Sequence, residues 1–151
     1  MKLNISLRRI DRNQARLVIS RFLEKPVARV LAHSRITPNM VTFIGFLISI
    51  VAAYFVTLDL LVLAGIILLI AGICDLLDGA LARETGMVTR FGALLDSVFD
   101  RLTEALVLFA VLLLALKKSD EMMIVLSYLA IIGSMLVSYV RARGEAFGVT
   151  G

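Results

Sequence analysis

From Val41 to Leu58, and again from Leu60 to Cys74, no charged side chain interrupts the sequence, and only Asp59 separates the two runs. A bilayer is crossed by about 20 apolar helical residues. Lipid offers no partner to a free backbone N–H or C=O, so the chain inside it must satisfy those groups internally. Two later stretches extend the pattern. One begins near Gly92 as "GALLDSVFDRLTEALVLFAVLLLAL", and the other covers about Glu121 to Val140. With 60% hydrophobic residues, well above an average soluble domain, the chain is expected to be an all-α integral membrane protein with at least four transmembrane helices.

Charge is distributed unevenly around these spans. The formal net charge is +4, and Lys2, Arg8, Arg9, Arg12, Arg16, Arg21, Lys25, Arg29 and Arg35 all precede the first run. Between residues 7 and 33, Leu7, Ile10, Leu17, Val18, Phe22, Val27, Val30 and Leu31 recur at roughly helical spacing among these bases. Residues 1–36 therefore read as an amphipathic juxtamembrane segment, one or two helices on the lipid surface interrupted near Pro26, with a disordered basic tail as the alternative. Residues 37–151 form the transmembrane domain, opened by Thr37 as helix N-cap and Pro38 at the first helical position. Positive-inside logic places the N-terminal segment, the Arg83 to Arg90 connection and the Arg141/Arg143 tail in the cytoplasm of a multi-pass cell-membrane protein. Lys117 and Lys118, balanced by Asp120 and Glu121, read as a solvated loop on the other side. Nucleic acid is not an expected partner, because the basic cluster adjoins apolar spans and carries no recognition motif. The lone Cys74 excludes an intramolecular disulfide and reads as packing. The N-terminus lacks the compact apolar core of a signal peptide.

The second run ends in "DLLDGALAR", where carboxylates enter a segment otherwise suited to lipid. Asp75 and Asp78 are three apart and share a helix face; Asp96 and Asp100, four apart, share another. The short connection between the second and third helices predicts antiparallel neighbours whose carboxylates meet at one depth. Each carboxylate at a span's centre costs about 2.5–3.5 kcal/mol on insertion scales, and close anions repel. A positive partner is required. Hard divalent cations take oxygen ligands, and two of them bridged by aspartates serve phosphoryl chemistry; Arg83 and Arg101 in a salt-bridge network would also serve. Gly79 and Gly92 would let a ligand approach the backbone, or let helices pack closely alongside Gly72, Ala80 and Ala82.

Taken together, Asp75-x2-Asp78-Gly79-x2-Ala82-Arg83-x8-Gly92-x3-Asp96-x3-Asp100 resembles the signature of the CDP-alcohol phosphotransferase family. The resemblance implies a six-helix, usually homodimeric membrane enzyme that transfers a phosphatidyl-type group from a CDP-linked lipid to an alcohol and releases CMP. It implies Mg2+ or Mn2+, two ions, held by Asp75, Asp78 and Asp96, with Asp100 near the metals and acting as general base. Gly79, Ala82, Arg83 and Gly92, with Asp75 and Asp78, would border the CDP group. "TPNMVT" is similar to the family's entry into its first helix, and "LLDSVFDRLTEA" and "SYVRARGEAFG" are similar to the branch that uses inositol phosphate. In that branch Arg141 and Arg143 would bind the acceptor's phosphate, with interfacial anchoring as the other reading. The donor would be CDP-diacylglycerol or CDP-archaeol. Four of the family's six helices are expected in this sequence, the C-terminal ones being absent. The alternatives are the same chemistry on glycerol 3-phosphate or another alcohol, a divalent-cation transporter or binding protein, and a non-catalytic scaffold.

Overall fold

A computed structural model of the chain describes residues 36–148. The expected amphipathic segment, residues 1–36, lies outside the described residues apart from Ile36. The described residues form four helices and no strand: α1 Pro38–Thr57, α2 Leu61–Thr85, α3 Arg90–Lys118 and α4 Glu121–Ala146. Among them, α1, α2 and α4 are long and apolar enough to cross a membrane. The described residues are all-helical, and the chain is a membrane protein. In α3 the uninterrupted apolar stretch begins only after Glu104, because Asp96, Asp100 and Arg101 occupy its first half.

Local chemistry sets the helix ends. The Thr37 side chain accepts from the Met40 N–H, and Pro38, which has no N–H to lose, occupies the first turn. α2 stops at Gly86, whose φ of 68° is open to glycine at little cost. Three residues later Thr89 starts α3, its hydroxyl accepting from Gly92 N–H at 2.9 Å. Asp120 caps α4 in the same way, accepting from Met123 N–H at 3.0 Å. α4 continues through Arg141 and Arg143 to Ala146, beyond the expected limit near Val140. Hydropathy falls there, but backbone hydrogen bonding does not depend on it.

The tightest packing is between α1 and α2, not between α2 and α3. α1 packs against both α2 and α3, while α2 and α3 share little direct backbone contact. α2 and α3 meet through their carboxylates, as expected, rather than by close backbone packing; α1 bridges the two and leaves cavity space beside those carboxylates. α1 and α2 approach through small residues: a Cβ on Gly45 would stand 3.2 Å from Cys74 Cβ. That gives Cys74 the packing role expected of it. Further along, Ala53, Val56, Ala64, Ala110 and Leu114 form a buried cluster from α1, α2 and α3. Lys117 and Lys118 are not a free loop. They end α3, where Lys117 Nζ donates to Thr57 O at 2.8 Å and Lys118 pairs with Asp59 at 2.7 Å. α4 packs on α3 and otherwise exposes large apolar side chains such as Leu129, Leu136 and Val140, a surface suited to lipid.

Candidate functional site

The apolar cluster lies at one end of α1, α2 and α3; the carboxylates lie toward the other. Asp78 sits about 10 Å inside the C-terminal end of α2, at 1.5 Å per residue. Asp75, Asp78 and Asp96 each offer a carboxylate oxygen, and these oxygens lie within 4.8 Å of one another. Asp78 is the most enclosed of them, with 5% of its surface exposed. Its Oδ2 accepts a hydrogen bond from the Thr42 hydroxyl at 2.5 Å, a length typical of a charge-assisted O–H···O⁻ bond. An all-oxygen, multiply anionic donor set of this kind fits a hard divalent cation.

Asp100 stands beside this group. Its Oδ2 accepts from Arg101 Nη2 at 2.6 Å, and the same guanidinium pairs with Glu104. Arg101 therefore serves Asp100 and Glu104 rather than the three clustered carboxylates. Asp75 and Asp100 together line a cavity of about 490 Å³ that runs past Arg101 and Glu104 into apolar depth at Leu68 and Leu108.

A second cavity, of about 320 Å³, lies on the other side of the carboxylates and is bordered by Asp78 and Asp96. Of the six residues singled out for CDP, Asp78, Gly79, Ala82, Arg83 and Gly92 line it, while Asp75 lines the larger cavity instead. Gly92 cannot be larger without cost: a Cβ there would stand 3.0 Å from Thr89 Oγ1 and 3.3 Å from Asn39 Oδ1. Thr42 lines both cavities. Chemically, the arrangement places a carboxylate group suited to metal between a smaller recess of mixed lining and a larger one that deepens into apolar surface.

Arg141 and Arg143 are exposed on the last turns of α4 and line neither cavity. The Arg143 guanidinium lies 4.9 Å from the centre of the Phe147 ring. Three polar residues at the site went unassigned in the sequence: Asn39, Thr42 and Thr89. The first two belong to "TPNMVT", so their signal was present, but it read as a helix start. Only the packing of α1 on α2 shows where they point.

The family model described as CDP-alcohol phosphatidyltransferase matches residues 35–148. The archaetidylinositol phosphate synthase of Pyrococcus horikoshii is 47% identical over 122 residues, covering 81% of this chain and 62% of that protein. The phosphatidylinositol phosphate synthase of Mycobacterium tuberculosis is 36% identical over 135 residues, covering 83% of this chain and 59% of its own length. The crystal structure of the M. tuberculosis synthase with CDP-DAG bound matches with a TM-score of 0.77 at 33% identity, over 83% of this chain and 64% of that one. The same synthase in complex with manganese and citrate matches with a TM-score of 0.74 at 31% identity, over 83% and 61% of the two chains. The chain thus spans about three fifths of the length of the relatives it matches.

Proposed function

Because the chain belongs to the CDP-alcohol phosphatidyltransferase family, we propose that it moves a phosphatidyl-type group from a CDP-linked lipid to inositol phosphate and releases CMP. One observation carries this reading: carboxylate oxygens of Asp75, Asp78 and Asp96 lie within 4.8 Å of one another, and Asp78 and Asp96 border a cavity lined by Gly79, Ala82, Arg83 and Gly92. The names of the similar synthases, and the CDP-DAG bound to one of them, support the choice of donor and acceptor.

In this reading the nucleotide half of the donor lies in the smaller cavity. Gly79, Ala82 and Gly92 leave room for it, and Arg83 offers forked donors to its phosphates. Asp75, Asp78 and Asp96, with Asp100, would hold two divalent ions, Mg2+ or Mn2+; when bound, these offset charge on the pyrophosphate and on the leaving CMP. The acceptor hydroxyl enters from the larger cavity. Arg101 holds one oxygen of Asp100, leaving the other to take the hydroxyl proton. The hydroxyl oxygen bonds to the lipid-side phosphorus as the bond to the CMP oxygen breaks, its electron pair departing with CMP. The apolar depth of the larger cavity suits the lipid side of the donor. Residues 37–151 form the transferase domain, with α3 as a further span, the site facing the cytoplasm and a homodimer as the assembly.

Arg141 and Arg143 are the proposed capture groups for the acceptor's phosphate. Reversing both charges raises KM for inositol phosphate and leaves KM for CDP-lipid unchanged; an interfacial anchor would leave the ratio of the two constants as it was.

The test of the reaction is CMP release by the purified protein in lipid, with CDP-diacylglycerol or CDP-archaeol and Mg2+ or Mn2+, comparing inositol phosphate, inositol and glycerol 3-phosphate. Release with inositol phosphate, lost by at least about a hundredfold in Asp100→Asn, supports the assignment. Release with glycerol 3-phosphate instead would transfer it to the other acceptor. Metal flux without any CMP release would favour a transporter.

A further inference from the structure

Asp78 is the most enclosed carboxylate of the cluster, and the group that holds it comes from a different helix. Thr42 lies on α1, 36 residues away in sequence, and is itself only 9% exposed. Its hydroxyl has one proton and two acceptors within reach: Asp78 Oδ2 at 2.5 Å and the Pro38 carbonyl at 3.2 Å. The shorter, charge-assisted bond takes the proton. A carboxylate has about four lone-pair sites. Thr42 therefore occupies one of these sites on Asp78 and leaves others open to a cation.

The geometry behind this bond is built in three steps. In a helix a threonine is confined mainly to two χ1 rotamers, and Thr42 adopts one that keeps its hydroxyl beside the Pro38 carbonyl. Gly45, one turn further along α1, lets that helix approach Cys74 on α2. In antiparallel helices, moving one turn back on α1 matches one turn forward on α2, which carries Thr42 from the Gly45–Cys74 contact to Asp78. Thr42 also lines both cavities, so it stands where the two recesses meet the carboxylates.

We propose that Thr42 is a positioning residue: through its hydrogen bond it orients Asp78 for divalent-cation binding, making α1 part of the metal centre although it supplies no ligand. The inference rests on the metal reading above. Partners that orient ligands commonly contribute about 10–100-fold to metal affinity.

The test measures Mn2+ affinity directly by electron paramagnetic resonance on detergent-purified protein, without substrate. Thr42→Val keeps the shape and removes the hydroxyl; Thr42→Ser keeps the hydroxyl and removes the methyl. The expected result is about a tenfold or greater weakening in Thr42→Val and near wild-type affinity in Thr42→Ser. In an Asp78→Asn background, Thr42→Val should add nothing further. Unchanged Mn2+ affinity in Thr42→Val, or equal loss in both Thr42 variants, would overturn the positioning role while leaving the metal site intact. If Thr42→Val does not fold, the decision passes to Thr42→Ser and Thr42→Asn: both retain a polar group able to donate to Asp78, and loss of Mn2+ binding in each would overturn the proposal. Wild-type protein that binds no Mn2+ would overturn the metal reading itself, and this inference with it.

Discussion

The two ends of the α1–α2–α3 unit use the same helices and are held by opposite means. At one end Ala53, Val56, Ala64, Ala110 and Leu114 close into a buried apolar cluster, and Lys117 and Lys118 tie α3 to the α1–α2 turn. At the other, carboxylates from α2 and α3 come within 4.8 Å of one another between cavities of about 490 and 320 Å³, and Thr42 links α1 to Asp78. Bringing anions together in a partly apolar setting costs free energy. Packing at the far end offsets that cost without intruding on the chemistry. Stability and function are thus separated along the helix axis, so a substitution at either end should disturb one and spare the other.

The largest effect is expected at the carboxylate end. Asp96→Asn should lower CMP-forming turnover by at least about a hundredfold. Metal-free protein should show an unchanged or slightly higher Tm, since one of the mutually repelling charges is gone. A large fall in Tm would mean that the carboxylates hold the helices together, and the separation would collapse. The reciprocal substitution is Leu114→Ala in the apolar cluster, where Leu114 is 3% exposed. Truncating a buried leucine removes packing that lipid cannot replace and leaves a cavity, so about 2 kcal/mol or more of stability should be lost. Mn2+ affinity should stay within about twofold of wild type, because independent distant sites act nearly additively. A parallel loss of metal binding would show that the two ends are coupled.

These differences also mark what can be read before packing is known. The charge-free runs, the Thr37–Pro38 helix start and the helix carried on through "DLLDGALAR" depend on local periodicity and capping, and the structure follows them. The face shared by Asp75 and Asp78 follows from helical spacing, and their convergence with Asp96 needed only that α2 and α3 come near each other. That α1 bridges these helices was not legible. It depends on small residues facing each other on two elements, Gly45 against Cys74 and Ala71, and a glycine in an apolar run looks the same whether it faces a helix or lipid. The Thr42–Asp78 bond was hidden for the same reason. Asp100 presents the opposite difficulty: the Arg101 that holds it is its immediate neighbour. On a helix adjacent residues normally point apart, and it is the length of the arginine that lets the pair close.

The smallest expected effect separates two contributions within the apolar end. Asp59 joins α1 to α2 with a positive φ of 65°, in the left-handed region, while its carboxylate pairs with Lys118 at 2.7 Å. Both partners are about half exposed, so the ion pair should contribute no more than about 1 kcal/mol and weaken with salt. Lys118→Ala should therefore lower stability by about 0.2–1 kcal/mol in dilute buffer, with the loss shrinking at high salt. Asp59→Gly removes the same pair and also relieves the left-handed backbone, for which a side chain costs about 1 kcal/mol. Its net change should be smaller than that of Lys118→Ala, or of opposite sign, and the difference should persist at high salt because the backbone contribution is not screened. Unfolding of the two variants in detergent at low and high salt measures both contributions. If Asp59→Gly is the more destabilising at every salt concentration, the turn is held by the Asp59 side chain through something other than its charge, and the tie to α3 is not what closes this end.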